Sequence, residues 1–151
     1  MKLRYILSED IKNYTIEHEG DGDYTIIYMD GEDQGYVSTS EGSLVEERCV
    51  KQLIGNKYQG EPIRRTSGIM INEPYKGQGY GKIIWLTHMA QFPDTWFYNS
   101  QTFPDATNLF KALAGKGLME IYWSREPSFD HDGGPHVCRI TQQGIAFVNK
   151  S

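Results

Sequence analysis

The 151-residue sequence has few cysteines, no long apolar run and no surplus of basic charge. Its two cysteines, Cys49 and Cys138, are too few for the disulfide framework of a small secreted domain. No stretch approaches the ~18 apolar residues that cross a bilayer, and the apolar run at residues 3–7 is too short for a signal peptide. The net charge of -5 and the isoelectric point of about 5.3 exclude a general basic footprint for nucleic acid. We therefore expect a reduced, cytoplasmic protein without a membrane partner.

Length and composition indicate one globular domain over residues 1–151. Domains average roughly 150 residues. Apolar residues make up 38% of the chain, aromatic residues 13% and charged residues 23%, and this balance argues against disorder. The sequence contains no internal repeat and no linker-like segment.

The first third of the chain predicts a meander of strands followed by a helix. Runs of β-branched and aromatic residues separated by Gly- and Asp-rich turns predict strands; they lie at residues 14–18, 24–29 and 35–39. A helix is predicted over residues 43–54, because Ser43 and Glu46 form a capping-box pattern and apolar residues recur every four positions.

The rest of the chain alternates strands with helices. The predicted strands cover residues 67–72, 95–98, 118–123, 136–140 and 145–148. The predicted helices cover residues 83–91 and 106–113, the second with a cap formed by Thr102 and Asp105. His88 falls within the first of these helices and is expected to be a packed or surface histidine rather than a ligand. The expected fold class is α+β.

The most informative segment runs from Ile69 to Lys82, where a strand leads through a glycine-rich turn into a helix. Glycines let the backbone approach a ligand closely, and the free amides and dipole of a helix N-terminus favour a phosphate. Lys76 and Lys82 add positive charge. Neither the P-loop pattern nor the dinucleotide-binding G-x-G-x-x-G pattern fits this spacing. The segment therefore predicts a pyrophosphate cradle of another kind.

This segment resembles the acetyl-CoA loop of GNAT-type N-acetyltransferases. In that family an apolar strand precedes [RQ]-x-x-G-x-[GA] at a helix start, and here Lys76-Gly77-Gln78-Gly79-Tyr80-Gly81 fits, with Lys76 in the Arg or Gln position. A second family pattern, A-x-x-L-[YF], matches residues 106–110. The resemblance covers residues 66–124 and implies a mixed, mostly antiparallel twisted sheet with helices on both faces.

The resemblance also implies acetyl transfer from acetyl-CoA to an amine on a small molecule, a protein lysine or an N-terminus. It places acetyl-CoA where the strand at 67–72 parts from the strand at 95–98. No metal is expected. The residues implied to bind the cosubstrate are Ile69, Ile71, Lys76, Gly77, Gln78, Gly79, Tyr80, Gly81, Lys82, Ser100, Asn108 and Phe110.

Transfer to an amine requires a proton acceptor, a donor for the leaving thiolate and amides aimed at the developing oxyanion. The catalytic candidates are the Ile71 backbone amide, Glu73 and Tyr122. Glu46, Glu47, Glu61 and Tyr98 are further candidates by residue type. The sequence departs from the family where Phe110 replaces a tyrosine acid. It also leaves room only at residues 8–13 for the family's helices between the first two strands.

Three other interpretations remain open. The protein could keep the fold and bind CoA or a protein partner without turnover. Residues 117–144 also resemble the wing of a winged-helix domain, although five basic and five acidic residues in the last 51 give no net attraction to nucleic acid. Residues 130–138 contain Asp, His and Cys residues that could ligate a metal, but their spacing fits no zinc site and their glycines favour a hairpin loop.

Overall fold

Seven strands form one mixed sheet in the computed structural model, which describes residues 14–101, 106–125 and 133–150. The strands are β1 (Thr15–Glu19), β2 (Tyr24–Met29), β3 (Glu32–Glu41), β4 (Ile63–Ile71), β5 (Trp96–Asn99), β6 (Met119–Trp123) and β7 (His136–Ile140). The helices are α1 (Leu44–Ile54), α2 (Tyr80–Ala90), α3 (Thr107–Gly115) and α4 (Gln142–Asn149). Short 3-10 turns cover Gly55–Lys57 and Glu73–Tyr75.

The strand order is β1-β2-β3-β4-β5-β7-β6. Neighbouring strands are antiparallel at every described position except between β4 and β5, which run parallel. A parallel pair needs a crossover, and here α2 supplies it. The predicted α+β class and mostly antiparallel sheet are confirmed.

Helices cover both faces of the sheet, as predicted. The helices α2, α3 and α4 pack over the main core on one face, and α2 is buried on nearly every side. A helix that is apolar all round belongs between layers rather than at the surface, which explains why α2 lacks a polar stripe. The helix α1 packs on the opposite face, where Val50 and Ile54 contact Trp96, Tyr98 and Val137 in a second core.

The capping box at the start of α1 is confirmed. The Ser43 hydroxyl accepts a hydrogen bond from the Val45 amide at 3.2 Å, and the Ser43 amide donates to Glu46 Oε1 at 2.7 Å. Both bonds satisfy backbone or side-chain groups that the helix itself leaves unpaired.

The predicted strand at residues 145–148 is wrong, because these residues lie in α4. The Thr141 hydroxyl caps this helix by accepting a hydrogen bond from the Gly144 amide at 3.0 Å. The T-x-x-G pattern that resembled a wing closure is therefore a helix cap. The winged-helix interpretation also fails, because β6 and β7 belong to the common seven-stranded sheet.

Two further predictions are settled by strand positions. A four-residue turn joins β1 directly to β2, so no helix pair separates these strands. The strand predicted at 67–72 begins four residues earlier, at Ile63. The helix candidate at residues 8–13, the cap formed by Thr102 and Asp105, and residues 130–132 of the polar loop lie outside the described residues.

A buried polar network ties α2 to the sheet through His88. Its Nδ1 lies 2.8 Å from the Thr25 hydroxyl and its Nε2 lies 2.7 Å from the Thr39 hydroxyl. Arg64 donates from Nε to the same Thr39 hydroxyl at 2.9 Å and pairs with Asp23. Burial, reinforced by the Arg64 charge, lowers the pKa of His88 to about 3. The histidine is therefore neutral in the folded protein and holds α2 against β2 and β3.

The free energy of unfolding should fall as the pH drops below about 6.5. His88, and His136 whose pKa burial lowers to about 4, stay neutral when folded but take up a proton when unfolded. The contribution of these histidines to stability is therefore fully present above their pKa in the unfolded state. It declines as the pH falls toward their pKa in the folded state. Each histidine should lower the free energy of unfolding by about 2 kcal/mol as the pH falls from ~7.5 to ~5. Urea denaturation at each pH measures this decrease.

His88→Gln and His136→Gln are the matched variants for this measurement. Each should remove about 2 kcal/mol of the pH dependence in that range, whatever it does to stability at neutral pH. A slope unchanged in both variants would contradict the assignment.

Candidate functional site

A gap opens in the sheet where the parallel strands β4 and β5 part. They pair only at Ile63 with Trp96, Arg64 with Phe97 and Arg65 with Tyr98. Beyond that point β4 continues to Ile71 without β5 beside it and stays paired with β3 on its other edge, while Asn99 of β5 pairs with His136 of β7. We call this opening, between the second half of β4 and the end of β5, the strand gap.

Two backbone amides of β4 line the strand gap. The Asn72 amide donates to the Gln34 carbonyl on the β3 side at 2.9 Å. Because amide direction alternates along a strand, Met70 shares that direction and the amides of Ile71 and Ile69 point the opposite way, toward the gap. The Ile71 amide, predicted to polarise the thioester carbonyl, therefore lies on the edge of β4 that no described strand covers.

The glycine-rich loop connects β4 to α2 at one end of this gap. Gly77 and Gly79 have φ values of 76° and 92°, which favour glycine, and the Gln78 side chain donates to the Pro74 carbonyl at 2.8 Å. Gly79 occupies the N-cap position of α2, where no side-chain hydrogen bond caps the helix. The first turn of a helix has amides that the helix itself does not pair, and such amides favour an anion.

The two lysines of the loop differ in their surroundings. Lys76 Nζ lies 3.3 Å from Glu73 Oε1, in an exposed pair three residues apart. The Glu73 side chain is 83% exposed, so the predicted base lies in solvent beside a cation rather than in the strand gap. Lys82, in the first turn of α2, is partly buried.

Several of the residues predicted to bind acetyl-CoA pack against other side chains in the protein interior. The Tyr80 ring is buried between Tyr14 and Tyr75, so only its backbone faces the loop. Phe110 is buried against Trp85 and His136. A Cβ on Gly81 would lie 3.0 Å from Leu109 Cδ1, so this glycine permits close contact between α2 and α3.

The remaining predicted residues surround the gap more loosely. The side chains of Ile69 and Ile71 pack against the main core from β4. Ser100, directly after β5, and Asn108, in the first turn of α3, are exposed.

Tyr122 does not lie beside the strand gap, because β7 separates its strand β6 from β5. Its hydroxyl donates to Glu120 Oε2 at 2.8 Å and accepts from Lys57 Nζ at 3.2 Å. Among the residues described, this network sits at the far side of the sheet from β4.

Tyr98, the other tyrosine that residue type suggested as an acid, lies beside the strand gap. It is the last residue of β5 to pair with β4, and it faces α1 on the side of the sheet opposite α2. Burial, together with a hydrogen bond that the phenol donates to Cys49 and the charge of Glu46, raises the pKa of Tyr98. The phenol therefore keeps its proton at neutral pH. Only the parallel register of β4 and β5 reveals this position, so the sequence held no clear signal for it.

No three histidine, cysteine or acidic residues cluster as a metal site within the described ranges. None of the described helices is long and apolar enough to span a bilayer.

No protein-family model matches the chain, and no curated protein matches it. Solved structures do match. A GNAT-family acetyltransferase from Streptococcus agalactiae superposes with a TM-score of 0.54 at 13% identity, covering 81% of this chain and 67% of that one. A bacterial toxin gives a TM-score of 0.54 at 13% identity, covering 85% and 72%.

A third similar structure is the CoA-dependent acyl-homoserine lactone synthase BjaI, solved with SAM and isopentyl-CoA. Its TM-score is 0.54 at 7% identity, and the match covers 84% of this chain and 62% of that one. At these identities the likeness concerns the fold. The chain therefore has the fold of GNAT-family acetyltransferases, over about two thirds of the length of these neighbours.

Proposed function

We propose that the protein transfers an acetyl group from acetyl-CoA to an amine. The observation that carries the proposal is the strand gap, because it joins two β4 amides that no described strand pairs to a helix N-terminus that no described side chain caps. The α2 amides and Lys82 suit the pyrophosphate, since a helix N-terminus and a nearby cation both favour an anion. The Ile69 and Ile71 amides suit the thioester carbonyl, whose oxygen gains negative charge during transfer.

The reaction forms one bond and breaks another. The amine nitrogen bonds to the carbonyl carbon, the carbon–sulfur bond breaks, and the nitrogen loses a proton to water in the gap. The departing thiolate must gain a proton, and Tyr98 is the proposed donor because its phenol stays protonated beside the point where β4 and β5 part. Glu46 is a weak base here, since hydrogen bonds from the Ser43 backbone and hydroxyl lower its pKa.

Phe110 favours a second candidate function, CoA binding without turnover. Its buried ring has no proton to donate. Binding and turnover must therefore be measured separately.

Saturating acetyl-CoA should raise the thermal midpoint of the protein by very roughly 5–10 °C. A ligand at about 100 times its Kd adds roughly 2.7 kcal/mol to the free energy of unfolding, which gives a rise of this size for a chain of this length. Turnover is measured as release of the CoA thiol with a panel of primary amines. The Tyr98→Phe variant should keep the thermal shift and lose about 100-fold in turnover, the scale of general acid catalysis.

Each result separates the candidates. No thermal shift at millimolar acetyl-CoA or CoA would exclude both functions. A thermal shift without turnover for any amine would favour the second candidate function, CoA binding without turnover. If turnover falls in Tyr122→Phe and not in Tyr98→Phe, then Tyr122 rather than Tyr98 is the acid.

A further inference from the structure

One face of the sheet carries no described helix over strands β1 to β3 and the second half of β4. We call it the outer sheet face; it lies opposite α2. The helix α1 covers the start of β4 and the strands β5, β6 and β7 on this side. Large side chains on the outer sheet face stay exposed, with Tyr24 at 49% and Met70 at 50%.

A groove of about 410 Å³ runs along the outer sheet face. It is lined by Tyr24, Ile26, Asp33, Tyr36, Ser38 and Ser67. Tyrosine rings combine apolar contact area with a face that attracts cations, so such a groove can hold the stem and the charge of a lysine.

The groove reaches the strand gap at Ser67. Ser38 pairs with Gly68 and Thr39 pairs with Thr66, so Ser67 is the extra residue of a β-bulge. Ser67 lies two residues after Arg65, the last residue of β4 to pair with β5. An acceptor in the groove would therefore approach the gap from the side opposite the α2 N-terminus.

The outer sheet face is acidic. Glu17 pairs with Ile26 and Glu19 with Tyr24 across β1 and β2, so both carboxylates share the face of the groove. Partial burial, followed by the charges of Glu17, Glu19 and Asp33, raises the pKa of Tyr28 between them. Within the described strands β1 to β4, Arg65 is the single basic residue on this face.

We propose that the outer sheet face binds the acceptor as an extended basic peptide. Resting on the proposed function, this places the acceptor lysine at Ser67 and a second cationic side chain against Glu17 and Glu19. The strands β1 and β4 are three strand spacings apart, about 14 Å. An extended peptide spans that distance in roughly four to five residues.

Two other occupants fit the surface less well. A second copy of the chain packed through the same face would bring carboxylates against carboxylates, because a two-fold contact is self-complementary. A small amine is usually held in a cleft that encloses most of its surface, whereas this groove is open and broad.

The test uses the full chain without acetyl-CoA and a fluorescent neutral peptide of about ten residues carrying two lysines about five positions apart. Anisotropy titration at low salt should show saturable binding that weakens as salt is added. The double variant Glu17→Gln/Glu19→Gln should weaken binding about fivefold to tenfold, the scale of two exposed ion pairs. The control Glu32→Gln changes an exposed carboxylate on β3 that pairs with Met29 on the opposite face, and should bind like the wild type.

The peptide with a single lysine should bind both the wild type and the double variant weakly and equally. Absence of saturable binding, equal losses in the double variant and in Glu32→Gln, or a salt-resistant dimer whose formation blocks the peptide would overturn the proposal. The acetyl-CoA thermal shift is measured on the same samples. A normal shift without peptide binding refutes this inference alone, and peptide binding without a shift refutes the proposed function alone.

Discussion

Replacing Gly79 with valine should weaken acetyl-CoA binding by at least about 100-fold, since two charge-assisted hydrogen bonds at ~1.5 kcal/mol each would be lost. Gly79 has a φ of 92° at the N-cap of α2, a conformation that a β-branched residue adopts only with strain. The loop would have to rotate, and the amides that follow would no longer converge on one anion. Isothermal titration with acetyl-CoA measures the loss.

Gly60→Val is the matched control for this substitution. Gly60 has a φ of 89°, and no heavy atom lies within 4 Å of the Cβ that a side chain would add. It precedes β4, at the end of that strand away from the strand gap, so this variant carries similar backbone strain with normal acetyl-CoA binding. Equal losses of affinity in both variants would show that strain in general, rather than the cradle, explains the effect.

Replacing Gly144 with alanine should lower the free energy of unfolding by about 3 kcal/mol, at the upper end of what overpacking costs. The added Cβ would lie 2.1 Å from the Leu118 carbonyl oxygen and 2.7 Å from Ile140 Cγ1. That carbonyl also accepts a hydrogen bond from the Thr141 amide at 3.1 Å, so neither the helix α4 nor the chain beneath it can move alone. Urea denaturation at neutral pH measures the change.

Gly115→Ala provides the control, because Gly115 ends α3 with no heavy atom within 4 Å of an added Cβ. Alanine is the better helix former by up to about 1 kcal/mol, so this variant should be as stable as the wild type or slightly more stable. A Gly144→Ala protein as stable as Gly115→Ala would mean that α4 does not pack closely on Leu118.

Local sequence patterns predicted those structural elements that are specified by residues close together in the sequence. The capping box of α1 and the glycine loop before α2 are signals of this kind. The start of β4 was missed because Arg64 and Arg65 do not look like strand core. Arg64 is nevertheless buried, since Thr39 accepts its hydrogen bonds and the Phe92 ring lies 4.1 Å from its guanidinium. Those partners are remote in sequence, and no short window contains them.

The glycine-rich loop was predictable from its own residues, whereas the strand gap was expected only from the resemblance to GNAT-type N-acetyltransferases. The amides of Ile69 and Ile71 become available because β5 pairs with only three residues of β4, namely Ile63, Arg64 and Arg65. Tyr98 stands beside the gap for the same reason, whereas Tyr122 belongs to a strand at the sheet edge. Residue type suggested both tyrosines, and strand order alone separates them.

The position of β7 also bears on how the chain is made. The strand formed last in sequence, His136–Ile140, lies between β5 and β6 rather than at an edge of the sheet. Until β7 is synthesised, β5 has one open edge and β6 has no partner among the described strands, and open edges attract other strands. The half of the sheet that carries Tyr98 is therefore completed only when residues 136–140 have been synthesised and β7 inserts between β5 and β6. A chain that stops short of them keeps a slot that a strand of another molecule can fill.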